Sequence, residues 1–327
     1  MRDDPPEEVM GVCSNPCMRG SMGVESLAAI ENAPHNETRN GLPLFQRNWY
    51  GRLEGRYQRF VIWATDESLS HLRHEGHVFI DATFKVVPHP FCQLLVMMTF
   101  DPATRVFVPC VYALMTARTE YAYLTVLHEI VVLLNFRFMP RLITVDFEKA
   151  LVIAVKHEFP SSRLVGCHFH FMQAIDRKLR KFAISEEDKD VALSVIRWLP
   201  VMPRGSIEQV LCFLTDFKGL RGAEWKRFWD YFRRTWTVTY PYEIWSLTDL
   251  DVRDVAGRTN NCLERYNRSM NEKFVHARPN VFALLDSIRN DLEYYANLCN
   301  SKRLGREPIG EDEHDFVISG PSAEFVR

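Results

Sequence analysis

Three acidic residues lie at positions where a carboxylate is unfavourable unless another group or a metal ion compensates its charge. Asp81 lies within an apolar run, Asp146 follows another, and Glu264 borders the apolar stripe of a late helix. An acid among apolar residues costs free energy unless it is paired or binds a metal. The structural alternative for Asp81 is an acid at a strand end that accepts a backbone hydrogen bond.

Folding would give these acids a chemical role if it brought them together. Crowded carboxylates repel one another and cannot all stay ionised without a cation. Two divalent ions about 3.5–4 Å apart remove that repulsion and clamp both oxygens of a phosphoryl displacement. Oxygen-only ligands favour Mg²⁺ or Mn²⁺ over zinc. The three acids therefore predict a site for two Mg²⁺ (or Mn²⁺) ions.

The stretch around Asp146 predicts a strand–helix–strand unit. Leu142 to Val145 is a short apolar, β-branched run that indicates a buried strand. From Phe147 the apolar residues recur with a helical period, and Arg163 to Gly166 indicates a second strand. Ligands of open α/β sheets bind at the carboxyl ends of strands, so Asp146 is placed for chemistry.

Three further apolar runs precede this unit and predict antiparallel strands. They are residues 77–85, which contain Asp81, residues 91–100 and residues 106–114. Pro109 indicates a bulge or an exposed edge in the third run. Thr119 is expected to cap a helix that leads into the strand before Asp146.

A sheet order of 3-2-1-4-5 would make the strand of Asp81 and the strand before Asp146 neighbours. The late helix with Glu264 would then pack across both. This is the ribonuclease H architecture, so the predicted fold class is α/β, with a mixed sheet flanked by helices. Residues 184–256 carry only helical periods and predict an all-α insertion before the helix of Glu264.

The predicted organisation has five parts. They are a disordered segment (1–45), the ribonuclease H-like core (46–183), the helical insertion (184–256), the C-terminal part of the core with the catalytic helix (257–299) and a flexible tail (300–327).

Composition limits the class of protein. The 327 residues are 46% hydrophobic, enough for a large core, yet no run approaches the length of a membrane span. Eight cysteines at scattered spacings suit a reducing compartment. Because the net charge is only −2, contact with nucleic acid must come from local patches.

Two basic clusters on predicted helices are candidates for such patches. A solvated face is the usual meaning of a charge cluster, and a surface that faces phosphates is the alternative. Their members are Arg177, Lys178, Arg180 and Lys181 in the first, and Lys226, Arg227, Arg233 and Arg234 in the second.

Five motifs resemble those of transposases of the Mutator-like element (MULE) class and occur in the same order. The resemblance covers roughly residues 58–296, and the ordered set is far more specific than any single motif. The motifs are IDATFK (80–85), PHPFCQL (88–94), TVDFEKAL (144–151), GCHFHFMQAI (166–175) and RTNNCLERYN (258–267).

The resemblance implies a catalytic domain of the DDE superfamily, with Asp81, Asp146 and Glu264 as the triad that binds Mg²⁺ or Mn²⁺. It implies a nuclear enzyme that cleaves DNA strands and transfers them at transposon ends. Its partners would be terminal inverted repeats, target DNA and, in a homo-oligomer, further copies of the chain. The alternative is a transposase-derived protein that binds DNA or protein without catalysis.

Cys167 and His170 match the Cys-x-x-His motif of the class and have two interpretations. They could form half of a zinc site, with Cys212 or Cys262 as remote partners. They could instead lock a strand-to-helix turn, with His170 as a hydrogen-bond donor in the active site. No second Cys/His pair lies close in sequence, which favours the second interpretation.

The printed sequence contains no zinc-binding module of the type that reads DNA in this class. Sequence-specific binding needs side chains that reach base edges. Phosphate contacts from the two basic clusters would position a duplex without specifying its sequence. We therefore expect weak, salt-sensitive DNA binding.

Overall fold

The computed structural model of the chain describes residues 29–73, 76–216, 222–248, 250 and 261–308. Seven strands form one mixed sheet. They are β1 (Phe45–Leu53), β2 (Arg56–Trp63), β3 (His77–Thr83), β4 (Gln93–Asp101), β5 (Val106–Met115), β6 (Leu142–Val145) and β7 (Arg163–Gly166).

Helices cover both faces of this sheet. Among the described helices, none has both the length and the apolar composition needed to cross a membrane. The α-helices are α1 (Asp66–Ser70), α2 (Glu120–Leu133), α3 (Lys149–Glu158), α4 (His168–Lys181), α5 (Glu186–Ile196), α6 (Arg204–Asp216), α7 (Ala223–Arg233), α8 (Tyr242–Trp245), α9 (Asn261–Glu272) and α10 (Val281–Arg303). The described residues also contain short 3-10 helices at His71–Arg73 and Leu199–Val201 and a π-helix at Arg234–Thr239.

The strand order is β1-β2-β5-β4-β3-β6-β7. The five strands β5-β4-β3-β6-β7 reproduce the predicted 3-2-1-4-5 order, and the β1–β2 hairpin extends the sheet beside β5. The strands β3, β4 and β5 pair antiparallel, whereas β6 pairs parallel with both β3 and β7. The predicted fold class is confirmed: the chain has a mixed α/β fold consistent with the ribonuclease H-like architecture.

Alternate residues of the central strands enter two separate cores. Ile80 and Val145 face a core that α2, α3 and α4 cover. Phe79 faces the opposite core, where Leu263 and Met270 of α9 pack beside α10. Because the central strands are buried on both faces, they read as nearly continuous apolar runs, which made them recognisable.

Local signals in the sequence account for two of the predicted details. Opposite Pro109 the pairing steps from Met97–Val111 to Met98–Pro109, so the predicted bulge is confirmed. The side chain of Thr119 accepts a hydrogen bond from the Ala122 N–H at 3.3 Å, as an N-cap should.

Parts of both terminal segments, which were predicted to be disordered or flexible, are packed or helical. Ile30 and Leu44 are fully buried in the core on the α9–α10 face. At the other end, α10 continues to Arg303. Residues 1–28 and 309–327 lie outside the described residues, and the division of the chain into domains stays a prediction.

The helical insertion packs onto the core through aromatic rings. Phe171 of α4 stacks on Trp245 with ring centroids 5.4 Å apart and meets Trp236 edge-on at 4.7 Å. Both tryptophans are at most 2% exposed. These contacts fix the described part of the insertion against α4, next to the strand that ends at Asp146.

Candidate active site

The pairing of β3 with β6 brings two of the predicted acids together. Ile80 pairs with Val145 at the end of the parallel ladder. Asp81 directly follows Ile80, and Asp146 directly follows Val145. Neighbouring strands lie about 4.8 Å apart. The two carboxylates therefore start from adjacent points of the sheet, although they are 65 residues apart in sequence.

Asp81 is held rigidly within β3 and is only 3% exposed. Its Oδ1 accepts a hydrogen bond from the Ala82 N–H at 2.8 Å. Its Oδ2 accepts a second from the side-chain amide of Asn267 at 3.1 Å. The structural alternative, a backbone hydrogen bond, thus accounts for one oxygen, while the other faces α9.

Asn267 links Asp81 to the helix that carries the third predicted acid. Its side chain is buried, and its Oδ1 has no hydrogen-bond partner among the described residues. A buried amide oxygen without a donor is unfavourable, and it is a suitable ligand for a hard cation. Glu264 lies three residues earlier, one turn of the same helix, and its side chain lies outside the described residues.

Asp146 sits in an environment that opposes its negative charge. Burial raises the pKa of the Asp146 carboxyl above its ordinary value. A hydrogen bond from the Glu148 N–H at 3.1 Å and the nearby His170 lower this pKa only in part, while the Glu148 carboxylate raises it further. The ionised Asp146 is therefore short of compensating positive charge.

An arginine and an exposed aromatic ring flank the acids. Arg118 donates two hydrogen bonds to the Glu148 carboxylate, at 3.2 and 2.8 Å. Its guanidinium also lies 4.5 Å from the ring centroid of Phe84, which follows β3 and is 45% exposed. No sequence pattern connects these residues, because only the fold places the loop before α2 beside the end of β6.

Cys167 lies at the turn between β7 and α4. This residue is fully buried and N-terminal to α4, and its N–H donates to the Val145 carbonyl at 2.7 Å. The turn is thereby tied to the residue before Asp146. His170, in the first turn of α4, lies close enough to Asp146 to lower its pKa. This geometry favours the interpretation in which the pair orders the turn.

The remote zinc ligands considered for Cys167 and His170 have different locations. Cys212 is exposed on α6. Burial raises the pKa of the Cys262 thiol to about 12, and the nearby Cys167 adds to this rise. The cluster of three metal-ligating side chains found in the described part of the chain includes none of these four residues. Their roles stay predictions.

A glycine and an aromatic cluster fix the residue after Asp146. The Phe147 ring packs so closely over Gly166 that a Cβ atom there would lie 2.2 Å from the ring. The same ring meets Trp236 and Tyr240 edge-on at 4.7 and 5.2 Å, and the Tyr240 hydroxyl donates to the Phe147 carbonyl. Gly166 is needed at this position because only a residue without a side chain leaves room for the ring.

A buried hydrogen-bond chain holds α9 in place. The hydroxyls of Tyr112 and Tyr266 lie 2.7 Å apart, and the Tyr266 hydroxyl donates to Asp291 of α10 at 2.5 Å. Lys273 pairs with the same carboxylate. Strand β5 and helix α10 therefore fix the helix that carries Asn267 and Glu264.

The two predicted basic clusters meet at a single surface. Lys178 of α4 lies 4.6 Å from the ring centroid of Tyr231 in α7, and Arg227 lies 5.7 Å from that of Phe182. Arg177 and Arg234 are close enough to Tyr231 to oppose the rise in its pKa that burial causes. We call the eight residues Arg177, Lys178, Arg180, Lys181, Lys226, Arg227, Arg233 and Arg234 the basic surface.

Some charges of the basic surface are already paired. Arg180 lies 3.1 Å from Asp176, and Lys226 lies 3.1 Å from Asp230. Tyr240 is near both Asp146 and Tyr231. Burial raises the pKa of Tyr240, and Asp146 and Tyr231 both add to this rise. The role of the basic surface in binding DNA stays a prediction.

Comparison with known families identifies the central part of the chain. Residues 77–174 match the model of the MULE transposase domain. The match runs from β3 into α4 and contains Asp81, Asp146, Cys167 and His170. These residues therefore form a MULE transposase domain. No match was found among curated proteins.

We predict that the Asp146 carboxylate destabilises the metal-free protein. Its raised pKa means that the folded state binds a proton more tightly than the unfolded state does. This tighter proton binding stabilises the folded state relative to the unfolded state. The stabilisation is fully present below the ordinary pKa of aspartate and is lost as pH rises through the raised pKa. Asp146→Asn should therefore unfold at a higher temperature than wild type at pH 7 in EDTA, with a smaller difference at pH 4.

The control is Asp230→Asn, which removes a well-exposed carboxylate from α7. Its melting temperature should stay close to that of wild type at both pH values. An Asp146→Asn protein less stable than wild type in EDTA at pH 7 would mean that this carboxylate is a structural group.

Proposed function

We propose that the chain is a metal-dependent DNA transposase that cleaves and joins strands at transposon ends. The observation that carries this proposal is the register of β3 and β6, which sets Asp81 beside Asp146. The helix of Glu264 contacts β3 through the hydrogen bond from Asn267 to Asp81. Three acids on two strands and one helix are the arrangement that the resemblance to the DDE superfamily implies.

The residues present fit divalent cations with oxygen ligands. Asp81 and Asp146 would hold Mg²⁺ or Mn²⁺, and Glu264 would complete the set. The Asn267 Oδ1, buried without a donor among the described residues, is a further oxygen of the required type. Bound ions would supply Lewis-acid polarisation of the scissile phosphodiester and would lower the pKa of the attacking water or 3′-hydroxyl.

The surrounding side chains have separate tasks in this proposal. His170 would donate a hydrogen bond to a phosphate oxygen near Asp146. Arg118, held by Glu148, would contact the DNA backbone beside the exposed ring of Phe84. Phe147, fixed over Gly166, would keep Asp146 from moving when DNA binds.

The alternative function, binding without catalysis, leaves these features unexplained. A binding module has no need of a buried acid at Asp81, or of an acid at Asp146 whose charge is poorly compensated. The poorly compensated charge of Asp146 costs stability unless a cation offsets it. We therefore favour the catalytic function.

The substrate and setting follow from the proposed chemistry. Tyr240 is near both Asp146 and Tyr231, the ring that Lys178 contacts, so a duplex bound along the basic surface would approach Asp146. Its contacts would be with phosphates, which position DNA without reading its sequence. We propose that the protein acts on chromosomal DNA in the nucleus and that a homo-oligomer would join the two transposon ends.

We predict that Asp81→Asn, Asp146→Asn and Glu264→Gln each reduce strand cleavage in Mg²⁺ by roughly 10³-fold or more. Each change keeps the side-chain shape and removes a charge, so it removes a metal ligand rather than packing. The three acids act as a unit, so the triple variant should be little worse than a single one. The measurement is nicking of a labelled duplex that carries a transposon end.

Glu272→Gln is the matched control, because Glu272 is an exposed acid on the same helix as Glu264. It should cleave at the wild-type rate. If Asp146→Asn nicked DNA at a rate similar to wild type, the assignment of the triad would be wrong.

We predict that the basic surface binds DNA weakly and without sequence preference, with Kd in the roughly 10⁻⁴–10⁻⁶ M range of non-specific complexes. The test variant combines Lys181→Gln and Arg234→Gln, one exposed residue from each cluster. The slope of log K against log salt should fall by about 0.9 for each phosphate that the variant no longer neutralises. The control combines Arg52→Gln and Arg56→Gln, exposed residues of the β1–β2 hairpin, and should leave this slope unchanged.

The same titrations should be repeated with terminal-inverted-repeat DNA and with a scrambled duplex. Equal affinities for the two duplexes are expected. A preference of a hundredfold or more for the repeat would contradict the prediction, because the described part of the chain would then read base edges.

A further inference from the structure

A second group of potential metal ligands lies far from the acids. Asp101 ends β4, five residues beyond Val96, which pairs with Asp81. At about 3.3 Å per residue this corresponds to roughly 16 Å along the strand. His71 follows α1, and Cys299 belongs to the last part of α10. Three separate segments of the chain therefore meet at the C-terminal end of β4, at the opposite end of the strands from the acids.

The three side chains converge closely. One ligand atom from each of His71, Asp101 and Cys299 lies within 4.8 Å of the other two. The His71 Nδ1 and Asp101 Oδ2 are 3.9 Å apart, and each of these side chains is 8% exposed. Cys299 is fully buried. A thiol, an imidazole and a carboxylate thus share one small, nearly enclosed space.

The 3.9 Å between the His71 Nδ1 and the Asp101 Oδ2 is close to the ligand spacing of a tetrahedral zinc site. Zn–N distances of about 2.0–2.1 Å and Zn–S distances of about 2.3 Å place ligand atoms about 3.3–3.6 Å from one another. The separation of His71 from Asp101 exceeds that range by only a few tenths of an ångström. Small side-chain rotations would bring the ligands to a common ion.

Neighbouring groups are arranged as outer-shell partners. The Thr104 hydroxyl lies 2.9 Å from the Asp101 Oδ2 and 3.6 Å from the Cys299 Sγ. The Ala103 N–H donates to the Asp101 Oδ1 at 3.1 Å, and Arg303 donates to Oδ2 at 2.7 Å. Such hydrogen bonds orient metal-ligating carboxylates. Arg303 shares Oδ2 with the proposed ion, so ion binding would shift this guanidinium.

We propose that His71, Asp101 and Cys299 form a structural zinc site that ties α10 to the C-terminal end of β4, at the opposite end of the strands from the acids. Sulfur and imidazole ligands select zinc over Mg²⁺, so this site would not compete for the ions of the acidic site. A water molecule would take the fourth position. By holding α10, the ion would also support the Asp291 contact that fixes α9.

The test uses Co²⁺ in place of zinc, because a cobalt–thiolate bond gives a charge-transfer absorption band. The full chain, stripped of metal, is titrated with Co²⁺, and zinc content is measured separately by elemental analysis of protein purified with zinc. Wild type should bind one ion per chain at this site with a thiolate band. Cys299→Ser should lose the band, and His71→Gln should bind more than 100-fold more weakly, beyond the roughly 10–100-fold cost of losing an outer-shell partner.

Two control variants separate this site from the alternative at the turn before α4. Cys167→Ser and Cys212→Ser should keep both the ion and the band. A band that survives in Cys299→Ser and vanishes in Cys167→Ser would assign the metal to the other pair and overturn the proposal. Wild-type protein that binds neither Co²⁺ nor zinc would also overturn it, whatever the folding of the variants.

Discussion

The parallel pairing of β3 with β6 is the constraint on which the site depends. It sets Asp81 and Asp146 at adjacent points of the sheet. Burial raises the pKa of Asp146, and the Glu148 carboxylate raises it further. The chain therefore keeps an electrostatically unfavourable arrangement at the centre of its sheet. Divalent cations would turn this arrangement from a cost into a binding site.

The rest of the fold keeps these acids in place. Tyr266 anchors α9 through Tyr112 and Asp291, and α9 in turn supplies the Asn267 amide to Asp81. On the other side, Phe147 is clamped between Gly166 and the aromatic rings of the insertion. The C-terminal helices thus hold Asp81, and the helical insertion holds the residue after Asp146.

Much of the architecture could be predicted because its signals are local. The buried strands are short apolar runs, and Pro109 and Thr119 indicate a bulge and a cap by their chemistry alone. The β1 strand lacked such a signal, because its residues are mostly half-buried and mix polar with aromatic side chains. The burial of Ile30 and Leu44 likewise depends on tertiary packing that the polar composition of their segment conceals.

The contacts within the site required the fold. Asn267 follows Glu264 by one helical turn, but its hydrogen bond to Asp81 joins residues 186 positions apart and has no local signal. The pairing of Arg118 with Glu148 has no periodic or motif signal either. Residue types therefore indicated the chemistry, whereas the partners that tune it depend on long-range packing.

The most direct test of the central claim is a crystal structure of the protein soaked in Mn²⁺, with metal positions taken from anomalous scattering. The proposed function predicts two peaks about 3.5–4 Å apart, bounded by Asp81, Asp146 and Glu264. Wild-type crystals with no peak between these three acids at saturating Mn²⁺ would contradict it. In that case the carboxylates would have to be explained as structural groups of a protein without metal-dependent catalysis.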